Sequence, residues 1–305
     1  MSFAIELENV TKRFGKHVAV DGLDLRVPEG SIYGFIGPNG SGKTTTLRMI
    51  LRIIQPDSGT VRVLGATSGA TADDRLGYLP EERGLYKRMR VYSLLKYFAR
   101  LKGMREPKAA IDHWLKRLGA EGWGRKRIDT LSKGMAQKIQ FVATVVANPK
   151  LVILDEPFSG LDPLNLETLR DAILELRKQG TTVIFSTHDM DVAEQMCDTI
   201  LMIFEGKKVL DGTMNSIHAQ FSARHIRVRL DQPDVQLPRL LGVHSIQRVG
   251  RFYEFILSDQ TRSDDIVRQL ANQVTLEHFE IVKPSLHEIF IHIAHPGGNG
   301  QFSET

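Results

Sequence analysis

The sequence has a single cysteine, Cys197, in 305 residues. A disulfide within the chain is therefore excluded, which suits a reducing compartment. Cys197 closes an expected helix beside Val192 and Met196, a setting for burial rather than reactivity. Long apolar runs are also missing. The longest, Ile200 to Phe204, falls far short of the roughly 20 residues that cross a bilayer. The opening Met1-Ser2-Phe3-Ala4-Ile5-Glu6 lacks the basic start and apolar core of a signal peptide. If the protein serves a membrane, another chain is expected to do the spanning. Charge of one sign is scarce as well: the net charge is +4, without the basic clustering of a nucleic-acid surface, so no nucleic-acid partner is expected. Hydrophobic residues at 42% and charged residues at 25% are those of a globular protein. The length allows one large domain and a smaller one.

Against these absences stands one dense motif, Gly37-Pro38-Asn39-Gly40-Ser41-Gly42-Lys43-Thr44. It fits G-x-x-x-x-G-K-[ST], the phosphate-cradling loop. Ser31 to Ile36 before it predicts a short apolar strand, and Leu47, Ile50, Leu51 and Ile54 after it recur at helical spacing. Glycines permit positive φ and close backbone approach, so successive N–H groups can point at phosphate oxygens. The helix that follows adds its positive end. Lys43 supplies a cation for the β- and γ-phosphates, and the Thr44 hydroxyl is a Mg²⁺ ligand.

Around the motif, alternation over Phe3–Leu7 and Leu23–Val27 predicts two antiparallel strands, and Val61 to Leu64 another. Gly77 to Leu85 reads as a polar loop. From Tyr92 to Gly119 the pattern is helical, with Pro107 starting a second helix. Leu131-Ser132-Lys133-Gly134-Met135 opens a third, with Ile139, Val142, Val145 and Val146 as its stripe. Leu151 to Leu154 is apolar throughout, as in a parallel strand buried on both faces. Thr182 to Phe185 is the next strand and Thr199 to Phe204 the last of the domain. Asp162 and Asp189 cap the helices between them. The fold class is thus α/β: a phosphate-loop cassette with a parallel sheet core, antiparallel N-terminal strands and a helical subdomain over about 84–145. A second domain, 218–294, is expected to be small and α+β. Strands at His225–Leu230, Val243–Val249, Phe252–Leu257 and Val274–Val282, helices at Leu237–Leu241 and from Ser263, and a closing helix at Pro284–Ala294 give a ferredoxin-like βαββαβ order. The first domain then spans 1–217, and 295–305 is expected to be disordered.

Asp155 and Glu156 follow the apolar strand at 151–154. Ligands of open α/β sheets gather outside the carboxyl ends of strands. An Asp there can hold Mg²⁺, and the adjacent Glu can polarise an attacking water. His188, at the end of the next strand, is placed to donate to a γ-phosphate.

Taken together, these motifs resemble the ATP-binding subunit of an ATP-binding-cassette (ABC) transporter over about residues 1–215. They occur in that family's order: Phe14, the loop 37–44, the loop around Glu81, Leu131-Ser132-Lys133-Gly134-Met135, Asp155-Glu156, Ser159-Gly160-Leu161-Asp162 and His188. The resemblance implies ATP and Mg²⁺ as ligands, and hydrolysis coupled to transport. It implies that Phe14 stacks on adenine, that Gly37, Pro38, Asn39, Gly40, Ser41, Gly42, Lys43, Thr44 and Thr45 bind the triphosphate, and that Thr44, Asp155 and Glu81 serve the metal. Glu156 would be the general base, with Lys43 and His188 on the phosphates. Ser132 and Gly134 would act on ATP held by a second ATP-binding subunit, identical or not, and Asp162 would communicate across that interface. A separate transmembrane permease would hold the protein at the inner face of the cell membrane.

Two departures stand out. Glu81 replaces the family's usual Gln; an ionised carboxylate can ligate Mg²⁺ but cannot donate a hydrogen bond. Lys133 and Met135 replace the usual Gly and Gln, which leaves the backbone N–H groups in place. These features, with Pro284-Ser285-Leu286-His287-Glu288-Ile289-Phe290, resemble the bacterial sodium- and drug-efflux branch and imply export. The alternative is a soluble cassette ATPase acting on nucleic acid or ribosomes. Against it, the chain has no heptads, no cysteine cluster and one phosphate loop. A non-catalytic regulatory cassette conflicts with the presence of Lys43, Asp155, Glu156 and His188.

Overall fold

The computed structural model describes residues 2–66, 74–82, 84–222, 225–231, 237, 240–258 and 261–294. The chain forms two compact units, 1–211 and 212–305.

In the first unit, strands β1 (Phe3–Phe14) and β2 (His17–Pro28) pair antiparallel, and β4 (Ser58–Val63) adds to the free side of β1. Their inward residues, among them Ile5, Leu7, Leu23, Leu25 and Val27, close over helix α1 (Lys43–Ile50) and one face of the main sheet. That sheet is built on β3 (Ile32–Ile36), β6 (Leu151–Asp155) and β7 (Thr182–Thr187), every residue of which is buried. Continuous burial on both faces explains the apolar runs Leu151–Leu154 and Val183–Phe185 within them; each large aliphatic side chain contributes about 1.5–3 kcal/mol. With β5 (Leu76–Leu79), β8 (Thr199–Phe204) and β9 (Lys207–Thr213) the order is β5-β6-β7-β3-β8-β9, and the pairs from β5 to β8 run parallel.

Helices α2 (Val91–Leu101), α3 (Lys108–Arg117) and α4 (Lys133–Val145) form the helical part of this unit. Trp114 packs edge-on against Phe141 at its centre, with ring centroids 5.9 Å apart. Ser132 caps α4, its hydroxyl accepting from the Met135 N–H at 3.3 Å. Asp162 caps α5 (Pro163–Lys178) and Asp189 caps α6 (Met190–Met196) in the same way, as expected for these residue types.

Two segments differ from the sequence expectation. Leu76–Leu79 is a strand, not part of a loop, and pairs with β6. Gly77 hides it: a Cβ there would lie 2.7 Å from the Thr144 carbonyl oxygen, so α4 packs too closely for a side chain, and glycine breaks the strand pattern. The sheet also continues past Phe204 into β9, whose Lys207 and Lys208 suit an exposed edge.

The second unit begins with α7 (Met214–Ser222), so it starts upstream of the boundary expected at 217. Strands β10 (His225–Leu230), β11 (Val243–Val249), β12 (Phe252–Leu257) and β13 (Leu276–Ile281) make a wholly antiparallel sheet in the order β11-β12-β10-β13. That is the strand order of the ferredoxin-like arrangement. Ile226, Val228, Phe255 and Leu257 pack with Ile266 and Leu270 of α8 (Ser263–Ala271) to form its core. Arg262, not Ser263, holds the cap position of α8, and no side chain caps it. Helix α9 (Leu286–Ala294) follows. The helix expected at Leu237–Leu241 and the tail 295–305 fall across residues outside the described set.

Candidate active site

Parallel strands deliver the candidate residues to one edge. The Pro80-Glu81 segment follows β5, Asp155 and Glu156 stand at the end of β6, His188 follows β7, and the loop 37–42 follows β3. Sheet order therefore places these groups side by side along the carboxyl ends of the strands.

The loop takes its shape from glycine where only glycine fits. Gly37 (φ +148°) and Gly42 (φ +112°) adopt left-handed backbone, and a Cβ on either would fall 2.2 Å from the Ile203 carbonyl oxygen or 2.4 Å from that of Ala19. Gly42 stands at the cap position of α1 with no side chain to cap it, which leaves the first helical N–H groups for a ligand. The Ser41 hydroxyl is buried without a partner among the described residues. Lys43, only 6% exposed, donates to the carbonyl oxygens of Gly37 at 2.6 Å and Pro38 at 3.1 Å. Burial lowers its pKa, opposed by the negative charges of Glu156, Asp155 and Glu81.

Facing the loop is a connected set of carboxylates. The Thr44 hydroxyl donates to Asp155 Oδ1 at 3.3 Å and the Ser186 hydroxyl donates to the same oxygen at 2.6 Å. Ser186 Oγ in turn accepts the Glu156 N–H at 3.0 Å. Glu156 sits at φ +49°, a conformation that costs of order 1–3 kcal/mol for a residue with a side chain. Burial raises the Glu156 pKa; the hydrogen bond and charge of His188, and the Lys43 charge, act against that rise. Lys43 Nζ is 4.0 Å from Glu156 Oε1, and His188 Nδ1 is 3.1 Å from both carboxylate oxygens.

The cleft in front of these groups has a volume of about 380 Å³ and runs from Phe14, His17 and Ala19, along Asn39 to Thr45, to Glu81 and Glu156. Phe14 is 52% exposed, a large ring presented to solvent at the cleft's far end. Glycines that admit no Cβ, an unpartnered buried hydroxyl and a buried cation all fit a bound polyphosphate. The Thr44–Asp155 pair fits a divalent cation beside it.

Ser132, Gly134 and Asp162 are not part of the cleft lining. They form a group of their own: a Cβ on Gly134 would lie 3.1 Å from Asn165 Nδ2, and Asn165 donates its N–H to Asp162 Oδ1 at 3.0 Å. Sequence reasoning missed Ser186 and His17. The available signal for Ser186 was a hydroxyl closing an apolar strand beside that of Asp155.

The profile described as ABC transporter matches residues 20–159, and that of the ATP-binding protein DrrA1-3-like C-terminal domain matches 212–294. The chain is 38% identical to the ABC transporter ATP-binding protein YhaQ of Bacillus subtilis, over 94% of this chain and 97% of the relative. It is 31% identical to the daunorubicin resistance ATP-binding protein DrrA3 of Streptomyces coeruleorubidus, over 95% of each. Among solved structures, an ATP-binding subunit of an ABC transporter aligns with 28% identity and a TM-score of 0.67, covering 72% of this chain and 93% of that one. These matches do not favour the nucleic-acid or ribosome alternative. On this sequence likeness, the phosphate loop and the carboxylates it faces, the chain belongs to the ATP-binding subunits of ABC transporters, ATPases coupled to transport.

Proposed function

We propose that the cleft between Phe14 and Glu156 binds and hydrolyses Mg²⁺-ATP to drive export through a separate membrane-spanning partner. The observation that carries this reading is the chain of contacts Thr44–Asp155–Ser186–Glu156–His188 facing the phosphate loop. Phe14 stacks on the base. The backbone N–H groups of Gly37 to Thr45, with Lys43, hold the phosphates. Thr44 and Asp155, with Glu81 on the same cleft, would hold Mg²⁺, which when bound neutralises phosphate charge. Glu156 accepts the proton of the attacking water, and His188 keeps its carboxylate oriented and donates toward the γ-phosphate.

Ser132, Gly134 and Asp162 act on ATP carried by a second subunit. Their separation from the chain's own cleft supports this, as does the α4 N-terminus that Ser132 and Gly134 form, a helix end suited to an anion. Export is supported by likeness to a drug-resistance protein along nearly the whole chain, second unit included. No helix among the described residues is long and apolar enough to cross a membrane; in this reading the protein sits peripherally, on the partner. The test is co-expression with candidate membrane-spanning partners from the same genome. ATPase activity should co-purify with one of them from detergent extracts, and turnover stimulated by RNA in their absence would overturn the reading.

The second unit contains none of the residues of the cleft. We assign it a role in dimer persistence or in coupling to the partner. A chain ended after Thr213, which retains β9, is expected to bind ATP within about threefold of the full chain while its dimerisation or transport falls. Calorimetry and sedimentation measure the two, and unchanged dimerisation with normal transport would remove the assignment.

A further inference from the structure

Helix α4 carries two glutamines in its buried face, Gln137 and Gln140, one turn apart and 3% and 5% exposed. Both use their amide N–H groups on backbone that flanks a carboxylate of the cleft. Gln137 Nε2 donates to the Pro157 carbonyl oxygen at 3.1 Å, next to Glu156. Gln140 Nε2 donates to the carbonyl oxygens of Pro80 at 3.3 Å and Glu82 at 3.5 Å, on either side of Glu81. One turn further, the single Thr144 hydroxyl hydrogen has two acceptors in reach, the Gln140 carbonyl oxygen at 3.0 Å within the helix and the Tyr78 carbonyl oxygen at 3.3 Å. A second cavity, of about 270 Å³, lies where these loops converge and is lined by Glu81, Glu156 and Gln137 among others.

Gln140 is a costly choice for packing. Its Oε1 is buried without a partner among the described residues, and an unmet buried acceptor lowers stability. An apolar side chain of the same length would fill the space without that cost. What Gln140 provides and an apolar residue cannot is the donor that grips both carbonyls around Glu81. The same helix begins at Ser132, the end assigned above to the second subunit's ATP.

We propose that Gln140 is a positioning residue that holds Glu81 on the nucleotide cleft. With Gln137 it makes α4 the element through which contact at Ser132 and Gly134 reaches both Glu81 and Glu156. The proposal rests on the reading of the cleft as a nucleotide site. Its action is indirect: Gln140 is not a cleft-lining residue and works through the backbone of residues 80–82.

The test is Gln140→Met in the full chain, which keeps length and removes the donor. Amide hydrogen exchange at Glu81 and Glu82 is expected to quicken about tenfold while residues 136–145 keep their protection. Turnover is expected to fall about fivefold with KM for ATP within about twofold. Gln140→Lys, whose ammonium can donate to the same carbonyls, is expected to restore both. Wild-type exchange and turnover in Gln140→Met would overturn the proposal. So would loosening of α4 together with the loop, which marks a packing role, or equal loss in the Met and Lys variants. Exchange is read without nucleotide. Calorimetry of ATP on the wild-type chain reports on the cleft separately, so its failure is distinct from that of Gln140.

Discussion

Glu156→Gln is expected to lower ATP turnover by about 10²–10⁴-fold, the usual contribution of a general base, with ATP binding intact. Gln has the shape of Glu but its amide accepts no proton from water. The left-handed backbone at this position is held by the Ser186–Glu156 N–H bond, which the substitution leaves alone. Because burial raises the Glu156 pKa, its carboxylate takes up a proton at a higher pH than an ordinary glutamate does. The wild-type rate should therefore begin to fall, as pH is lowered, above the ordinary glutamate range, and this acid limb should be missing from the residual rate of the variant. With hydrolysis blocked, ATP held between two subunits should persist and shift the variant toward dimer. Single-turnover kinetics and sedimentation with Mg²⁺-ATP measure both effects. Turnover within a factor of two of wild type would remove the assignment of Glu156.

The candidate site was legible where chemistry constrains residue type at fixed spacing. Gly37 and Gly42 are forced by backbone approach, and that requirement is what the phosphate-loop pattern encodes. Strands β11 and β12 were equally plain: the expected Val243–Val249 and Phe252–Leu257 are the strands observed, and they pair across the short turn at Gly250-Arg251. What escaped depends on contacts distant in sequence. Ser186 matters because parallel pairing sets it opposite Asp155; its place at the end of an apolar strand is legible, but which strand lies beside it is not. Gln137 and Gln140 lie outside the apolar stripe of their helix, and their burial comes from the loops that lie on them. Strand β5 was hidden because Gly77 answers to the approach of α4, not to its own strand. The expected contact of His188 with phosphate left out its partner in the structure, the Glu156 carboxylate.

The departures from the family pattern acquire a physical setting. Glu81 stands on the cleft close to two other carboxylates. A Gln in its place would donate a hydrogen bond but add no charge. With Glu81, the phosphate end of the cleft gains a third acidic group acting on Lys43, which favours the charged form of the lysine against its burial. Lys133 has a neighbour of its own: a Cβ on Gly160 would lie 2.4 Å from Lys133 Nζ, so the lysine lies over the glycine of the Ser159-Gly160-Leu161-Asp162 stretch and not in the nucleotide cleft.

Lys43→Ala is expected to weaken ATP binding about 10²-fold, the effect of removing one partner from a desolvated charge-assisted contact. Two consequences combine. The β- and γ-phosphates lose the one lysine or arginine that lines the cleft among the described residues. The carbonyl oxygens of Gly37 and Pro38 lose the donor that folds the loop around the ammonium, so the loop is less ordered before ATP arrives. Turnover should fall further than affinity, because the lysine also balances charge that develops in the transition state. The carboxylate opposite responds as well. Lys43 is one of the groups that hold the Glu156 pKa down against burial; with it gone, the pKa rises and the acid limb of the residual rate moves to higher pH. Glu156→Gln behaves in the opposite way, retaining affinity and losing the limb, so the pair separates phosphate binding from proton transfer. Calorimetry with ATP in the absence of turnover, followed by a pH profile of the residual rate, measures these effects. ATP affinity equal to wild type would show that Lys43 contacts no phosphate.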